Sequence, residues 1–244
     1  MPINLLRRAL LALPLIAFGF GGALAQTPDP LPSWNDGVAK NTITDFVARV
    51  TIAGSPDFVS VNERIAAFDN DGTLWTEQPL YTQAVFTYEH IQALAAQHPE
   101  WKDREPFKSL AALDMMALAK LGLGTFLAAA EASDAPATVE NIAATVTDWI
   151  GTARHQRFNR LYTELVYQPM LELLAYMRAN GFKTYVVSGG NTEFMRPWTE
   201  KVYGIPPEQV IGSFGAEKFL IGADGKPMIV KLLETDFNDN GPGK

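Results

Sequence analysis

The spacing of apolar side chains changes along the chain and predicts an α/β protein with a helical insertion. Residues 38–50 have mostly helical spacing, and residues 65–68 form a short apolar run with the composition of a strand. From residue 79 to about 168 the pattern is almost wholly helical, which is too long for a simple crossover between two parallel strands. We therefore expect this stretch to be an inserted helical subdomain, with helices near residues 85–94, 107–121, 124–132 and 138–150.

After the insertion the α/β pattern resumes. The elements predicted there are a helix over 170–180, a strand over 182–187, a helix over 192–203, a strand over 210–214 and a hairpin over 219–230. Gly181 ends the first of these helices, and Pro197 indicates a kink or a late start in the second. Asp224-Gly225 is a hairpin turn signal between two apolar runs.

Residues 1–25 have the features of a secretory signal peptide. Arg7 and Arg8 form a basic region, the apolar segment 9–20 follows, and an A-x-A cleavage site ends at Ala25. The apolar segment is too short for a stable membrane anchor, although an uncleaved anchor is the alternative. We expect a periplasmic or secreted protein that is cut after Ala25, exported by the general or the twin-arginine route, without stable membrane insertion.

Charge and cysteine content narrow the classes of function. The chain has 20 basic and 27 acidic residues, a net charge of −7, and removal of the two N-terminal arginines makes the charge −9. This acidic balance argues against a surface for nucleic acid or for anionic lipids. The chain has no cysteine, so its stability must come from a hydrophobic core, which a chain of this length can form.

Two carboxylates follow the first predicted strand. Asp69 and Asp71 are separated by one residue, so both would point the same way from the carboxyl end of the strand, where ligands bind in open α/β sheets. Such a pair is tolerated when a cation neutralises it or when one group holds a proton. The alternative to a ligand-binding pair is a plain polar turn after the strand. A calcium loop of the EF-hand type is excluded, because Thr73 and Leu74 stand where a ligand and a glycine are required.

A second polar segment follows the strand predicted over 182–187. The hydroxyl of Ser188 and the backbone N–H groups of Gly189, Gly190 and Asn191 are suited to hold a phosphoryl oxygen, with a helix N-terminus close behind. An ordinary loop with a helix cap is the alternative for this segment alone.

Together the two segments resemble the haloacid dehalogenase superfamily, in particular its phosphatase branch with a helical cap, which includes phosphoserine phosphatases. Asp69 to Leu74 match the first motif, D-x-D-G-T-[LV], and Tyr185 to Ser188 match the second, an apolar strand that ends in Ser or Thr. The resemblance implies a Rossmann-like three-layer core with a parallel sheet over residues 26–76 and 169–244. It also implies an inserted α-helical cap over 77–168.

The resemblance also implies a role for each site residue. Asp69 would be the nucleophile that forms an aspartyl-phosphate, Asp71 the acid and base, and Ser188 a donor to the phosphoryl group. Mg²⁺ would bind the carboxylate of Asp69 and the main-chain carbonyl of Asp71. The residues expected to contact substrate are Gly72, Thr73, Glu77, Gly189, Gly190 and Asn191. Arg154, Arg157 and Arg160 are charged groups near the end of the cap, for which solvated surface is the favoured interpretation.

The chain departs from the family pattern near its end. Lys244 is the candidate for the lysine of the third motif, with a solvated lysine as the equal alternative, and no acid of the fourth motif follows it. Asp236 and Asp239 lie in a run that begins like a calcium loop, although a plain loop is favoured. We therefore expect a C-terminally truncated core or a lost metal ligand.

The predicted function is a Mg²⁺-dependent phosphomonoester hydrolase for a small phosphorylated metabolite. An inactive binding protein and a phosphotransferase with the same nucleophile are the alternatives.

Overall fold

The computed structural model of this protein describes residues 29–104, 107–112, 129, 133 and 137–244. The predicted signal peptide lies outside the described residues, as do most of residues 113–132, for which helices are predicted. Within the described part of the chain, no helix combines the length and the apolar character needed to cross a membrane.

A mostly parallel sheet forms the centre of the fold. In the described residues the sheet has four strands, which in spatial order are β1 (Ile65–Phe68), β2 (Lys183–Asn191), β3 (Val210–Ile221) and β4 (Pro227–Phe237). The first three run parallel, and β4 pairs antiparallel with β3 as the predicted hairpin. Phe68 pairs with Val186, so the carboxyl ends of β1 and β2 meet at the same end of the sheet. Among the described residues β1 has one neighbouring strand, and Ile65 is 60% exposed there.

Six α-helices accompany the sheet in the described residues. They are α1 (Val38–Thr51), α2 (Thr82–Leu94), α3 (Phe107–Ala112), α4 (Val139–Ile150), α5 (Gln168–Ala179) and α6 (Thr192–Tyr203). The predicted cap of α4 is confirmed, because the N–H of Asn141 donates to Oγ1 of Thr138 at 3.2 Å. The predicted bounds of α6 are also confirmed, and Pro197 lies inside this helix.

Strands β2 and β3 are longer than the sequence predicts. β2 continues through Ser188 to Asn191, where it pairs with Ser213 of β3 after a register shift. Glycine and asparagine are rare in strands, so composition predicts a loop at this point, whereas pairing with β3 keeps the segment extended. The two short runs predicted over 210–214 and 219–221 form one continuous strand, because the second half pairs with β4.

The insertion and the sheet share the main hydrophobic core. Its buried side chains come from α2, α4, α5, β2 and α6, among them Phe86, Val146, Leu174, Val186 and Trp198. A second cluster lies within the insertion and includes Ile91, Trp101, Phe107 and Leu110. Helices α2 and α4 therefore pack directly onto the α/β layer, and the division into a core and a cap over 77–168 stays a prediction.

Candidate active site

A tight turn follows β1 and fixes the first motif. The N–H of Leu74 donates to the carbonyl of Asn70 at 2.8 Å, and the N–H of Gly72 donates to the carbonyl of Trp75 at 3.0 Å. Gly72 has a φ of 70°, a left-handed conformation that favours glycine. The buried Asn70 accepts a hydrogen bond from the Tyr203 hydroxyl at 3.0 Å. The two carboxylates that flank Asn70 are therefore held at the carboxyl end of β1.

Asp69 is accessible and is paired with a cation. Its side chain is 45% exposed, and Oδ2 accepts from the Lys244 ammonium at 2.8 Å. The other oxygen accepts from the N–H of Asn70 at 2.8 Å. Lys244 is 175 residues away in sequence, so the fold after β4 brings it back to the first motif. An exposed carboxylate with a neighbouring ammonium is suited to attack a phosphoryl group without strong charge repulsion.

Asp71 occupies a different environment from Asp69. Burial raises the pKa of Asp71 from an ordinary value of 3.8 to about 6. A hydrogen bond from the Trp75 indole to Oδ1, at 2.8 Å, opposes this rise in pKa, whereas the charges of Asp69 and Glu77 add to it. A carboxyl group with a pKa of about 6 can hold a proton and release it near neutral pH. Burial and the neighbouring charges thus give Asp71 the raised pKa that a general acid requires.

One cavity of about 170 Å³ brings the predicted site residues together. Its lining includes seven of them, namely Asp69, Asp71, Glu77, Ser188, Gly189, Gly190 and Lys244. The predicted residues Gly72, Thr73 and Asn191 are not part of its lining. The first two lie in the turn after β1, and the third is buried. Residues from the first turn, the end of β2 and the chain end thus meet at one place.

The backbone after Ser188 is bonded within the protein. Gly190 donates its N–H to Ser188 Oγ at 3.2 Å, and Asn191 donates its N–H to Gln83 Oε1 at 2.9 Å. A Cβ at position 190 would lie 2.9 Å from the same Gln83 oxygen, so a larger residue there would displace the Gln83 amide. Because Ser188 Oγ accepts a hydrogen bond, its own hydroxyl hydrogen is the donor that it can offer to a phosphoryl oxygen.

Three further residues line the cavity without having been predicted, namely Tyr81, Gln83 and Asn240. Gln83 is buried at the start of α2, which also buries the polar side chains of Thr82 and Thr87. Buried polar residues on a helix that starts just after the first motif indicate that the helix contributes to the site. The apolar periodicity that predicts the helix does not show this contribution.

Ser213 connects the end of β2 with the segment that carries Lys244. Its hydroxyl donates to the carbonyl of Gly189 at 3.0 Å and accepts from the N–H of Asp239 at 3.0 Å. Asp239 is 1% exposed, and burial raises the pKa of its carboxyl group while Lys244 opposes the rise. Both sides of the cavity are thereby fixed to β3.

The three arginines near the end of the insertion lie elsewhere. Arg154 donates to the carbonyl of Asn159 at 2.8 Å, and Arg160 lies 3.6 Å from the Glu164 carboxylate. Neither these two nor Arg157 lines the cavity, in accordance with the surface interpretation.

The donor atoms of the site suit a hard divalent cation. Asp69 offers a carboxylate and Asp71 a main-chain carbonyl, and no group of three or more His, Cys, Asp or Glu side chains among the described residues is arranged to hold a metal. Mg²⁺ in phosphoryl-transfer sites commonly uses one or two carboxylates, with waters and phosphate oxygens as the other ligands. Asp69 supplies one such carboxylate at the cavity, which is compatible with Mg²⁺ when phosphate oxygens and waters complete its ligands, whereas the main-chain carbonyl of Asp71 as a second ligand stays a prediction.

A model of the family of haloacid dehalogenase-like hydrolases matches residues 66–232. The chain belongs to this family. The match begins in β1 and ends in β4, so it includes Asp69, Asp71 and Ser188 of this haloacid dehalogenase-like hydrolase, whereas Lys244 lies beyond it.

Two solved structures are similar to the chain. A phosphoserine phosphohydrolase-like protein from Francisella tularensis subsp. tularensis SCHU S4 is 18% identical, with a TM-score of 0.34 over 68% of this chain and 64% of that one. A conserved functionally unknown protein from Anaerococcus prevotii DSM 20548 is 12% identical, with a TM-score of 0.43 over 78% of this chain and 70% of that one. No curated protein matches the chain.

Proposed function

We propose that this haloacid dehalogenase-like hydrolase is a Mg²⁺-dependent phosphomonoesterase for a small phosphorylated metabolite. The observation that supports this most is the meeting of Asp69, Asp71, Ser188 and Lys244 at one cavity, with the Lys244 ammonium 2.8 Å from Asp69. The cavity volume of about 170 Å³ is below the range of roughly 300–1,000 Å³ that is usual for larger ligands. A phosphate group with a short alcohol is the substrate class that fits.

In the first step a carboxylate oxygen of Asp69 attacks phosphorus. A bond forms between that oxygen and phosphorus, the bond from phosphorus to the ester oxygen breaks, and Asp71 gives its proton to the departing alcohol. In the second step Asp71 takes a proton from water, the water oxygen bonds to phosphorus, and the bond to Asp69 breaks. The products are the alcohol, inorganic phosphate and the free enzyme.

The remaining groups of the cavity hold the phosphoryl group. Ser188 donates its hydroxyl hydrogen to a phosphoryl oxygen, and the Lys244 ammonium compensates the charge of the phosphoryl group and of Asp69. Mg²⁺, held by Asp69 and by the main-chain carbonyl of Asp71, would supply further charge neutralisation. Tyr81 and Gln83 give the insertion two contacts with the substrate site, and these contacts support a role of the insertion in substrate selection.

The proposal includes the place of action. The apolar segment and the A-x-A site at the N-terminus support export to the periplasm or the exterior, and the net charge of −7 supports a small-molecule substrate over nucleic acid or membrane.

The test is Asp69→Asn, assayed with p-nitrophenyl phosphate in the presence of Mg²⁺. We expect the turnover to fall at least about 1,000-fold, because the amide cannot form the acyl-phosphate bond. Asp45→Asn, an exposed aspartate on α1, is the matched control and should leave turnover unchanged. Turnover that survives Asp69→Asn would refute the role of Asp69 as the nucleophile.

The same assay separates the two alternatives. An inactive binding protein would release no p-nitrophenol while phosphate still raises its melting temperature. A phosphotransferase would release p-nitrophenol in excess of inorganic phosphate when an alcohol acceptor is added, whereas a phosphatase releases the two in equal amounts.

A further inference from the structure

Trp75 is a fully buried residue that contacts the proposed general acid without lining the cavity. Its indole N–H donates to Asp71 Oδ1 at 2.8 Å, while its relative exposure is 0%. In the described part of the chain, this indole is the one hydrogen-bond donor to the Asp71 side chain. A buried indole usually finds a partner for its N–H, but here the partner is a catalytic carboxyl group.

The position of Trp75 is fixed from two sides. Its ring stacks on Trp198 of α6, with the ring centroids 4.4 Å apart. Its backbone lies in a short pairing with the segment before α5, where Thr76 donates to the carbonyl of Leu165 at 3.1 Å and Tyr167 donates to that of Leu74 at 2.9 Å. The indole N–H is therefore a rigid donor rather than a mobile one.

We propose that Trp75 is the positioning residue of the general acid, because its indole N–H occupies Oδ1 of Asp71 and reserves Oδ2 for the proton that goes to the leaving oxygen. An indole N–H is a donor only, so it binds a carboxyl oxygen that carries no hydrogen. The proton of the neutral carboxyl group is thereby assigned to the opposite oxygen. Rotation of the carboxyl group, which would otherwise exchange the two oxygens, breaks this hydrogen bond.

This proposal rests on the proposed phosphatase function and predicts a dependence on the leaving group. A weakly acidic alkyl alcohol leaves only when it receives a proton, so its release requires a correctly directed acid. p-Nitrophenol leaves readily as an anion and requires little protonation. Loss of the indole N–H should therefore slow the hydrolysis of an alkyl phosphate far more than that of p-nitrophenyl phosphate.

The experiment compares Trp75→Phe with the wild type on glycerol 2-phosphate and on p-nitrophenyl phosphate. We expect kcat/KM to fall roughly 10- to 100-fold for the alkyl ester and less than about 3-fold for the aryl ester. The ratio of the two values does not depend on the fraction of folded enzyme, so partial misfolding leaves the readout intact. If Trp75→Phe does not fold, replacement of Trp75 by β-benzothienylalanine keeps the ring size and removes only the N–H.

Trp198→Phe is the matched control. It removes an indole from the same stack, but the Trp198 N–H donates to the carbonyl of Phe194 within α6 and not to the site. Phe at position 198 keeps an aromatic ring against Trp75 and leaves the hydrogen bond from the Trp75 indole to Asp71 in place, so its effect on the two substrates should be equal. An equal loss on both substrates in Trp75→Phe would overturn the positioning role while leaving the phosphatase proposal standing. Absence of turnover in the wild type would instead refute the phosphatase proposal.

A double variant sharpens the assignment. Asp71→Asn alone should show the same preference for the aryl ester, and Trp75→Phe added to Asp71→Asn should change the ratio no further. A further change of the ratio in the double variant would show that Trp75 acts through another group.

Discussion

Replacement of Asp71 by Asn should stabilise the protein at alkaline pH, because the folded state disfavours the charge of this carboxyl group. The rise of the Asp71 pKa from 3.8 to about 6 means that the folded protein binds a proton that the unfolded chain has already lost. The free energy of unfolding therefore falls as pH rises between these values and then stays lowered. A rise of this size corresponds to about 3 kcal/mol, and contact of Asp71 with solvent in the cavity reduces the cost to about 1–3 kcal/mol.

The measurement is urea unfolding of wild type and Asp71→Asn at pH 4.5 and at pH 8. A chelator is present, so that no divalent cation neutralises the site. Asn has the shape of Asp and can still accept from the Trp75 indole, so the charge is the main difference between the two proteins. We expect Asp71→Asn to be more stable by about 1–3 kcal/mol at pH 8 and by about a third of that gain at pH 4.5.

Asp45→Asn is again the control, because this side chain is exposed on α1 and its replacement should change stability little at either pH. A stability gain of Asp71→Asn that is equal at the two pH values, or a loss at pH 8, would refute the argument that burial raises the pKa of Asp71.

Two other predictions concern the packing around the site. Ser213→Ala leaves the carbonyl of Gly189 and the N–H of Asp239 without their buried partner. We therefore expect the free energy of unfolding in urea to fall by about 2 kcal/mol and the turnover to be lower. Unchanged stability would show that these two groups find other partners. Leu174→Ala removes a side chain that is 0% exposed in the main core, so the free energy of unfolding in urea should fall by about 2–5 kcal/mol. A fall below about 1 kcal/mol would show that neighbouring side chains fill the space that the leucine leaves.

The sequence predicts those elements whose pattern is local. β1 and α6 have the predicted bounds, because a short apolar run and an amphipathic helix that ends before a glycine are each determined by neighbouring residues. The end of β2 is different. Its residues from Ser188 to Asn191 have the composition of a loop, and only the pairing with β3 extends them. That pairing joins parts of the chain more than 20 residues apart, so the local pattern does not contain it.

The same distinction applies to the site. Asp69 and Asp71 are recognised by their spacing after a strand, and this spacing is a local property. The contribution of Gln83 depends on how α2 packs against the end of β2, and the partner of Asp71 depends on a turn that brings Trp75 back over it. The contact of Gln83 joins two elements whose relative position only the fold defines. The contact of Trp75 lies within four residues, but it is a polar contact inside a turn, which apolar periodicity does not show.

The stack of Trp75 on Trp198 links the insertion to the proposed general acid. Trp198 lies on α6, which packs against α4 of the insertion in the shared core. Because packed interiors transmit displacements, we expect a shift of α4 relative to the sheet to move α6 and to reach Asp71 through the stacked indoles. In the proposed phosphatase the insertion would therefore act from two directions, through Tyr81 and Gln83 at the substrate site and through Trp75 at the proposed acid. A subdomain with its own separate core would act through the first route alone.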